Sequence, residues 1–237
     1  LSRPEYLKNL SENHKIIGIT GTHGKTSTTA LLSHIFHFNN VNVSYLYGGI
    51  TTFNGIGGHY GDPDQPLILE TDEAFNTFEK IKISDLLVLN VDSDHLDYFK
   101  NLDNYKDAFH KVMKNVTDNL VINNDDLNIK SMKELKNPVS YGKDIAADFK
   151  VQSPGTFIYE NNKYEIKSDI IGDHFKANML GAIILALLNG IEIKDSLNAI
   201  ESFAGVKRRI ELIGISKGVL IYDDYGHHPT EMEATIT

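Results

Sequence analysis

The stretch IIGITGTHGKTSTT, residues 16–29, decides the fold class. Residues 16–20 are mostly apolar and β-branched, which is typical of a strand buried within a sheet. A glycine-containing turn follows over residues 21–24. Apolar side chains then recur at the spacing of a helix that packs on a sheet, at Leu31, Leu32, Ile35 and Phe36. The segment therefore predicts strand, turn and helix in succession.

The turn has the composition of a phosphate-binding loop. Its glycines allow backbone N–H groups to approach phosphate oxygens, and the helix that follows contributes the positive end of its dipole. Lys25 would reach the β- and γ-phosphates, and the Thr26 hydroxyl would bind Mg²⁺. The general pattern has glycine six residues before the lysine, where this chain has Ile19, so the loop is a shortened variant. The alternative is a glycine-rich turn with a surface lysine.

Downstream patterns extend the strand–helix alternation. Apolar runs at residues 86–91 and 120–123 predict buried strands, with a helix over residues 101–115 between them. This order predicts an α/β fold with a doubly wound, mostly parallel sheet. Further expected elements are a small antiparallel β insertion (148–152, 156–159 and 164–167, with a turn at 160–163), helices over 175–189 and 193–203, and strands over 209–213 and 219–222.

Composition limits the classes of function. The chain has 237 residues, 41% of them hydrophobic, enough for one large domain or one domain with part of another. Its net charge of −9 argues against a nucleic-acid partner. No apolar run approaches the roughly 20 residues of a membrane span, and the first residues do not resemble a secretory leader. The absence of cysteine excludes disulfides and favours a reducing, cytoplasmic setting.

Two acidic segments are candidates for metal binding. Glu70 follows an apolar run in ILETDEAF, where a carboxylate at a strand end would suit a hard cation. Because Asp72 and Glu73 are close by, an acidic surface loop is the alternative. His95 lies in NVDSDHLD between two aspartates, where the carboxyl edge of a parallel sheet collects ligands.

The loop GTHGKTSTT resembles that of the Mur ligase family, which also includes folylpolyglutamate synthetases. Further segments are similar in the same order: ILETDEAF, NVDSDHLD, GDHFKAN (172–178), GVKRR (205–209) and DDYGHHPTE (223–231). The resemblance implies ATP-dependent amide-bond formation with Mg²⁺. It implies catalytic roles for Lys25, Glu70 and His95, and metal ligation by Thr26, Glu70 and His95. The implied ATP contacts are Gly21, Thr22, His23, Gly24, Lys25, Thr26, Ser27, Asn178, Arg209 and Asp224.

One segment departs from the family pattern. GDHFKAN resembles a stretch that contacts adenine, but Phe175 occupies the first asparagine position of that pattern. Asn178 is therefore carried over as a base contact, and His174 is a further candidate.

DDYGHHPTE resembles the hinge of family members that add L-alanine to UDP-N-acetylmuramic acid, and these two molecules are the implied substrates. The resemblance places Asp224 toward the nucleotide and Tyr225 and His227 toward the alanine. Members that recycle a tripeptide usually have Phe-Ala in place of Tyr225-Gly226. Such a ligase is one alternative. A phosphate-loop module without ligase chemistry, which would need only Lys25 and Thr26, is another.

The resemblance also predicts a domain organisation. Residues 1–14 would end a linker from an N-terminal UDP-binding domain, and residues 15–215 would form the central ATP-binding domain. Residues 216–237 would be a hinge and the start of a C-terminal domain, since the sequence stops in a predicted helix. The expected macromolecular partners are those flanking domains of the same enzyme. The loop from Gly48 to Tyr60 is a candidate lining for the muramoyl end of the substrate.

Overall fold

The computed structural model describes residues 2–51, 55–74, 77–94, 96–226 and 232–233, with the side chain of Leu96 left out. Ten strands within these ranges form one sheet. They are β1 Ile16–Thr20, β2 Ser44–Leu46, β3 Gly58–His59, β4 Leu67–Glu70, β5 Asp85–Val88, β6 Asn119–Asn123, β7 Val139–Gly142, β8 Phe149–Ser153, β9 Thr156–Tyr159 and β10 Asn162–Glu165.

The centre of the sheet is parallel, and both of its edges are antiparallel. The spatial order is β10-β9-β8-β7-β6-β5-β1-β4-β2-β3. In this spatial order, all neighbouring strands between β8 and β2 pair in parallel. The pairs β2–β3, β8–β9 and β9–β10 are antiparallel. The α/β class and the mostly parallel sheet predicted from the sequence are confirmed. Because β4, β1 and β5 are parallel neighbours, the loops after them meet at one edge of the sheet.

Helices cover both faces of the sheet. Those in the described residues are α1 Arg3–Asn13, α2 Lys25–Phe38, α3 Leu96–Phe99, α4 Leu102–Lys114, α5 Leu127–Ser131, α6 Asp173–Leu188 and α7 Ile193–Glu201, with a 3₁₀ turn at Phe78–Lys80. Alternate residues of β1 point to opposite faces. Ile17 and Ile19 pack in the core under α2, α6 and α7, and Ile16 packs in the core under α1 and α4. The strand is therefore buried on both sides and fixes the start of the predicted phosphate loop.

The predicted antiparallel insertion proves to be part of the main sheet. β8, β9 and β10 pair antiparallel with one another as predicted, and β8 also pairs in parallel with β7, so the segment continues the main sheet. The turn between β9 and β10 is also shorter than predicted, because only Glu160 and Asn161 adopt positive φ and β10 already begins at Asn162. Short strands β2, β3 and β7 and helices α1, α3 and α5 were not assigned from the sequence.

A separate hairpin follows the main domain. Its strands are β11 Glu211–Ser216 and β12 Val219–Asp223, which pair only with each other among the described residues. The predicted domain boundary after residue 215 falls inside this hairpin. The division into domains stays a prediction, and a boundary before Glu211 would keep the hairpin whole. In the described part of the chain, no helix has the length and apolar character needed to cross a membrane.

Candidate functional site

The loop between β1 and α2 adopts the conformation that its glycines permit. Gly21 has φ +144° and Gly24 has φ +85°, and Gly24 is the residue that caps the N-terminus of α2. A Cβ at Gly21 would lie 3.0 Å from Leu89 Cβ and 3.1 Å from the Asn90 backbone. A Cβ at Gly24 would collide with the Asn178 amide. Both positions therefore require glycine, because of backbone conformation and because of close packing.

Asn90 clamps this loop from the end of the neighbouring strand β5. Its Oδ1 accepts a hydrogen bond from His23 N at 2.8 Å, and its Nδ2 donates to His23 O at 3.0 Å. The Asn90 carbonyl also accepts from Thr22 N at 3.2 Å. The sequence pattern alone did not indicate this role of Asn90. The clamp fixes the middle of the loop to the sheet.

Thr26 and Glu70 meet at the start of α2. Thr26 Oγ1 donates to Glu70 Oε1 at 2.9 Å, and Glu70 Oε2 accepts from Gly48 N at 2.6 Å. Glu70 ends β4, which lies beside β1, so the sheet order brings these distant residues together. Two hard oxygen donors in contact form part of the coordination that Mg²⁺ prefers. They are the two predicted metal ligands that the structure describes.

Lys25 is turned back onto its own loop and onto a buried carboxylate. Its Nζ lies 2.6 Å from Gly21 O, 3.1 Å from Thr22 O and 2.9 Å from Glu73 Oε1. The Glu73 side chain is fully buried, and this burial raises the pKa of its carboxyl although Lys25 opposes the shift. Tyr105 donates to the same Glu73 oxygen at 3.3 Å. Sequence analysis treated Glu73 only as an acidic neighbour of Glu70.

A cavity of about 630 Å³ opens above the loop. Its lining includes almost every predicted ATP-binding residue, together with the predicted metal ligand Glu70. These ATP-binding residues are Thr22, His23, Gly24, Lys25, Thr26, Ser27, Asn178, Arg209 and Asp224. Gly21 lies in the turn below and does not line the cavity. Polar residues that sequence analysis did not single out also line it, namely Asn90, Asp92, Asp94, Asn123, Asp125, Asp126 and Asn128. Most of them follow β5 or β6, as expected for ligands at the carboxyl edge of a parallel sheet.

The segment that carries Arg209 is held by Asp224. The Asp224 carboxylate accepts from Ile210 N at 2.8 Å and from Gly226 N at 2.6 Å. Arg208 and Ile210, on either side of Arg209, have φ of +59° and +49°. A positive φ is costly for a β-branched residue such as isoleucine, and such conformations persist only when their surroundings hold them. The carboxylate thus fixes a strained turn whose central residue, Arg209, faces the cavity.

The Tyr225 ring lies beside the two arginines. The guanidinium carbons of Arg208 and Arg209 are 5.0 and 5.4 Å from its centroid, within the range of cation–π attraction. Tyr225 is not among the residues that line the cavity, so its predicted place beside an amino-acid substrate stays a prediction.

Comparison with known proteins identifies the family. Residues 19–186 match the model of the Mur ligase middle domain, which is more than half of the chain.

The chain belongs to the Mur ligase family.

Relatives agree in sequence along the whole chain. It is 38% identical over 251 aligned residues to a UDP-N-acetylmuramate–L-alanine ligase of Clostridium botulinum (strain Hall), covering 100% of this chain and 54% of that protein. It is 34% identical to the ligase of the same name from Dictyoglomus turgidum, again covering 100% and 54%. The chain thus spans about half the length of the relatives that it matches.

Solved structures agree in fold. The UDP-N-acetylmuramate-alanine ligase of Thermotoga maritima superposes with a TM-score of 0.83 at 25% identity, covering 99% of this chain and 56% of that one. A murein peptide ligase of Psychrobacter arcticus gives a TM-score of 0.77 at 24% identity, covering 98% and 56%, and shows the fold alone.

Two predicted site residues of this Mur ligase domain lie outside the described residues. They are His95, predicted to bind metal, and His227, predicted to lie near the amino acid. Within the described ranges, no three His, Asp or Glu side chains converge as a metal-binding group. The described part of the predicted metal site is therefore the Thr26–Glu70 pair.

Phe175, which departs from the family pattern, lines the cavity next to His174. The two ring centroids are 4.4 Å apart, and Phe175 also packs against the core under α6. It offers the cavity an aromatic face in place of an amide. Asn178 lines the same end, and its amide lies directly against Gly24, so the predicted base contact and the phosphate loop are adjacent.

Proposed function

We propose that this chain is the ATP-binding part of a ligase that joins L-alanine to UDP-N-acetylmuramic acid. The observation that carries the proposal is the single cavity that gathers the loop residues, Glu70, Asn178 and Arg209. The relatives that match the whole chain bear the name of this ligase, which supports the choice of substrates.

The loop would bind the phosphates of ATP. Its backbone N–H groups and the N-terminus of α2 offer a positive potential to anionic oxygens. Lys25 adds a mobile positive charge, and Arg209 offers a planar guanidinium suited to bidentate contact with phosphate. The part of the cavity lined by His174, Phe175 and Asn178 would then hold the base.

Mg²⁺ fits the Thr26–Glu70 pair, because both residues present oxygen donors at the start of α2. A bound magnesium ion would neutralise charge on the transferring phosphoryl group. His95 would ligate a second ion on the side of the reacting carboxylate, as the resemblance implies.

The reaction is amide formation through an acyl phosphate. An oxygen of the muramic acid carboxylate bonds to the γ-phosphorus, the bond to the β-phosphate oxygen breaks, and ADP leaves. The alanine amine then attacks the acyl carbon, loses a proton, and inorganic phosphate leaves. Two anions must approach each other in the first step, so the positive charge of Lys25 and Arg209 lowers its barrier. Tyr225 and His227 would lie toward the amine.

The flanking regions of the enzyme would bind the UDP-sugar and close over ATP. We propose that residues 15–215 form the central domain, with residues 1–14 and 216–237 leading into those regions. The cytoplasmic setting stays a prediction.

The test measures ADP release by the chain extended with its flanking regions. We expect release that requires both UDP-N-acetylmuramate and L-alanine, and no such release from the 237-residue chain alone. Preference for the tripeptide over alanine would instead favour the recycling ligase. Nucleotide binding without any acceptor-dependent ADP release would favour a module without ligase chemistry.

A further inference from the structure

The ammonium group of Lys25 has no donor left for a phosphate. A lysine ammonium has three N–H donors and no acceptor. Here the carbonyl oxygens of Gly21 and Thr22 and the carboxylate of Glu73 take all three, at 2.6, 3.1 and 2.9 Å. Any phosphate contact made by Lys25 therefore has to replace one of these partners.

Glu73 is the partner that a phosphate resembles. The two carbonyl oxygens are uncharged and belong to the same loop as the lysine. Glu73 instead offers a carboxylate, an anionic oxygen acceptor like a phosphate, from the loop after β4. Its side chain is fully buried, and Lys25 is 14% exposed and lines the cavity. The ion pair thus lies at the floor of the proposed phosphate site, with the lysine between the carboxylate and the cavity.

The carboxylate is held firmly in this place. Tyr105, which is itself buried, donates to the Glu73 oxygen that Lys25 contacts, and the Tyr105 hydroxyl also lies 3.0 Å from Thr22 Oγ1. Thr22 Oγ1 in turn accepts from Asp92 N at 2.8 Å. Glu73 is therefore connected to the loop through a buried polar network and is a fixed counter-ion.

We propose that Glu73 is a positioning residue that keeps Lys25 drawn back in the ligand-free protein and competes with nucleotide phosphate for its ammonium group. The proposal rests on the proposed function, since it assumes that phosphates occupy the cavity. Phosphate binding would break the Lys25–Glu73 contact and would also bring a second anion toward a buried one. Both effects lower the affinity for ATP below what the loop alone would give.

The test compares the binding of Mg-ATP by the wild-type chain and by Glu73→Gln, measured by calorimetry. The substitution keeps the size of the side chain and removes its charge. We expect the dissociation constant to fall by roughly tenfold, because a like-charge approach in a buried site is relieved. AMP, which lacks the β- and γ-phosphates, should bind both proteins equally. A purely structural role of Glu73 would not favour one ligand over the other.

Asp72→Asn is the matched control. It removes one negative charge from the neighbouring residue, whose carboxylate accepts from Ala74 N, and asparagine can keep that hydrogen bond. We expect its affinity for Mg-ATP to stay within about twofold of wild type. Glu73→Asp is measured in parallel, because it keeps the charge and draws it back from Lys25. It should bind Mg-ATP more tightly than wild type by a smaller factor than Glu73→Gln.

The outcomes separate this inference from the proposed function. Wild-type binding of Mg-ATP without a gain in either Glu73 variant, when both unfold cooperatively, would overturn the inference and leave the nucleotide site standing. If neither the wild type nor the variants bound Mg-ATP, the phosphate-loop assignment would fail and the inference would fail with it.

Discussion

Thr26 and Glu70 are in direct contact, with the Thr26 hydroxyl donating a 2.9 Å hydrogen bond to Glu70 Oε1. The two proposed magnesium ligands come together because β1 and β4 are adjacent parallel strands. This contact places the Glu70 carboxylate where it could bind magnesium together with Thr26.

Glu70→Gln should lower the affinity for ATP only when magnesium is present. The amide keeps a hydrogen-bond acceptor for Thr26 and removes the negative charge that a hard cation needs. We expect the affinity for Mg-ATP to fall by about tenfold or more, which corresponds to a loss of at least about 1.4 kcal/mol in binding free energy. Calorimetric titrations with and without chelator measure it, and Asp72→Asn is the control. An equal loss in chelator would show that Glu70 does not act through a metal.

Lys25→Met should destabilise the chain, and adding Glu73→Gln should restore most of the loss. The single substitution leaves a fully buried carboxylate without its cation, which typically costs about 3 kcal/mol. The double substitution removes both charges. Urea unfolding of the wild type, of Lys25→Met and Glu73→Gln singly, and of the double variant measures the free energies of unfolding. If Lys25→Met were as stable as wild type, the buried ion pair would be absent in solution.

Asp224→Asn should weaken the binding of inorganic triphosphate as much as that of ATP. Asp224 holds the turn around Arg209 through Ile210 N and Gly226 N, and losing a charge-assisted hydrogen bond would displace the arginine. We expect about threefold to tenfold weaker binding of both ligands. Asp223→Asn is the control, because the Asp223 carboxylate is 3.7 Å from Arg208 and outside the cavity lining. A loss confined to ATP would point instead to a contact between Asp224 and the ribose.

Gly24→Ala should abolish nucleotide binding, whereas Gly190→Ala should not. Both glycines have positive φ, +85° and +88°, so each alanine bears a similar backbone cost of about 1 kcal/mol. At Gly190 nothing lies within 4 Å of an added Cβ, but at Gly24 the methyl group would push against the Asn178 amide. Thermal unfolding and Mg-ATP titration separate the two effects. Normal binding by Gly24→Ala would show that the loop is not closed against α6.

Local sequence patterns predicted those helices, strands and turns whose formation depends mainly on their own residues. The apolar run at Ile16–Thr20 and the glycine turn after it gave β1, the loop and α2, because burial and backbone freedom are local requirements. The continuation of the main sheet through β8 could not be predicted, because nothing in β8 itself specifies its pairing with β7. A strand pattern indicates burial, and its neighbours depend on the rest of the fold.

The missed site residues are those whose roles depend on sheet order. Glu73 contacts a lysine 48 positions away, and Asn90 clamps a histidine 67 positions away. Both contacts exist because β4 and β5 flank β1 in the sheet, and this spatial order cannot be read from local sequence patterns. The acidic run from Glu70 to Glu73 was identified in the sequence, but its two glutamates make different contacts. Glu70 contacts Thr26, and Glu73 is buried against Lys25.

The most direct test of the account is a titration of Mg-ATP into the wild-type chain and into the Lys25→Met/Glu73→Gln double variant. The double variant removes the phosphate-loop cation without leaving a buried charge unpaired, so lost binding could not be attributed to unfolding. We predict saturable one-site binding by the wild type and at least about a hundredfold weaker binding by the double variant. Equal binding by both proteins, or no binding by a cooperatively folded wild type, would contradict the claim that this cavity binds ATP through its loop.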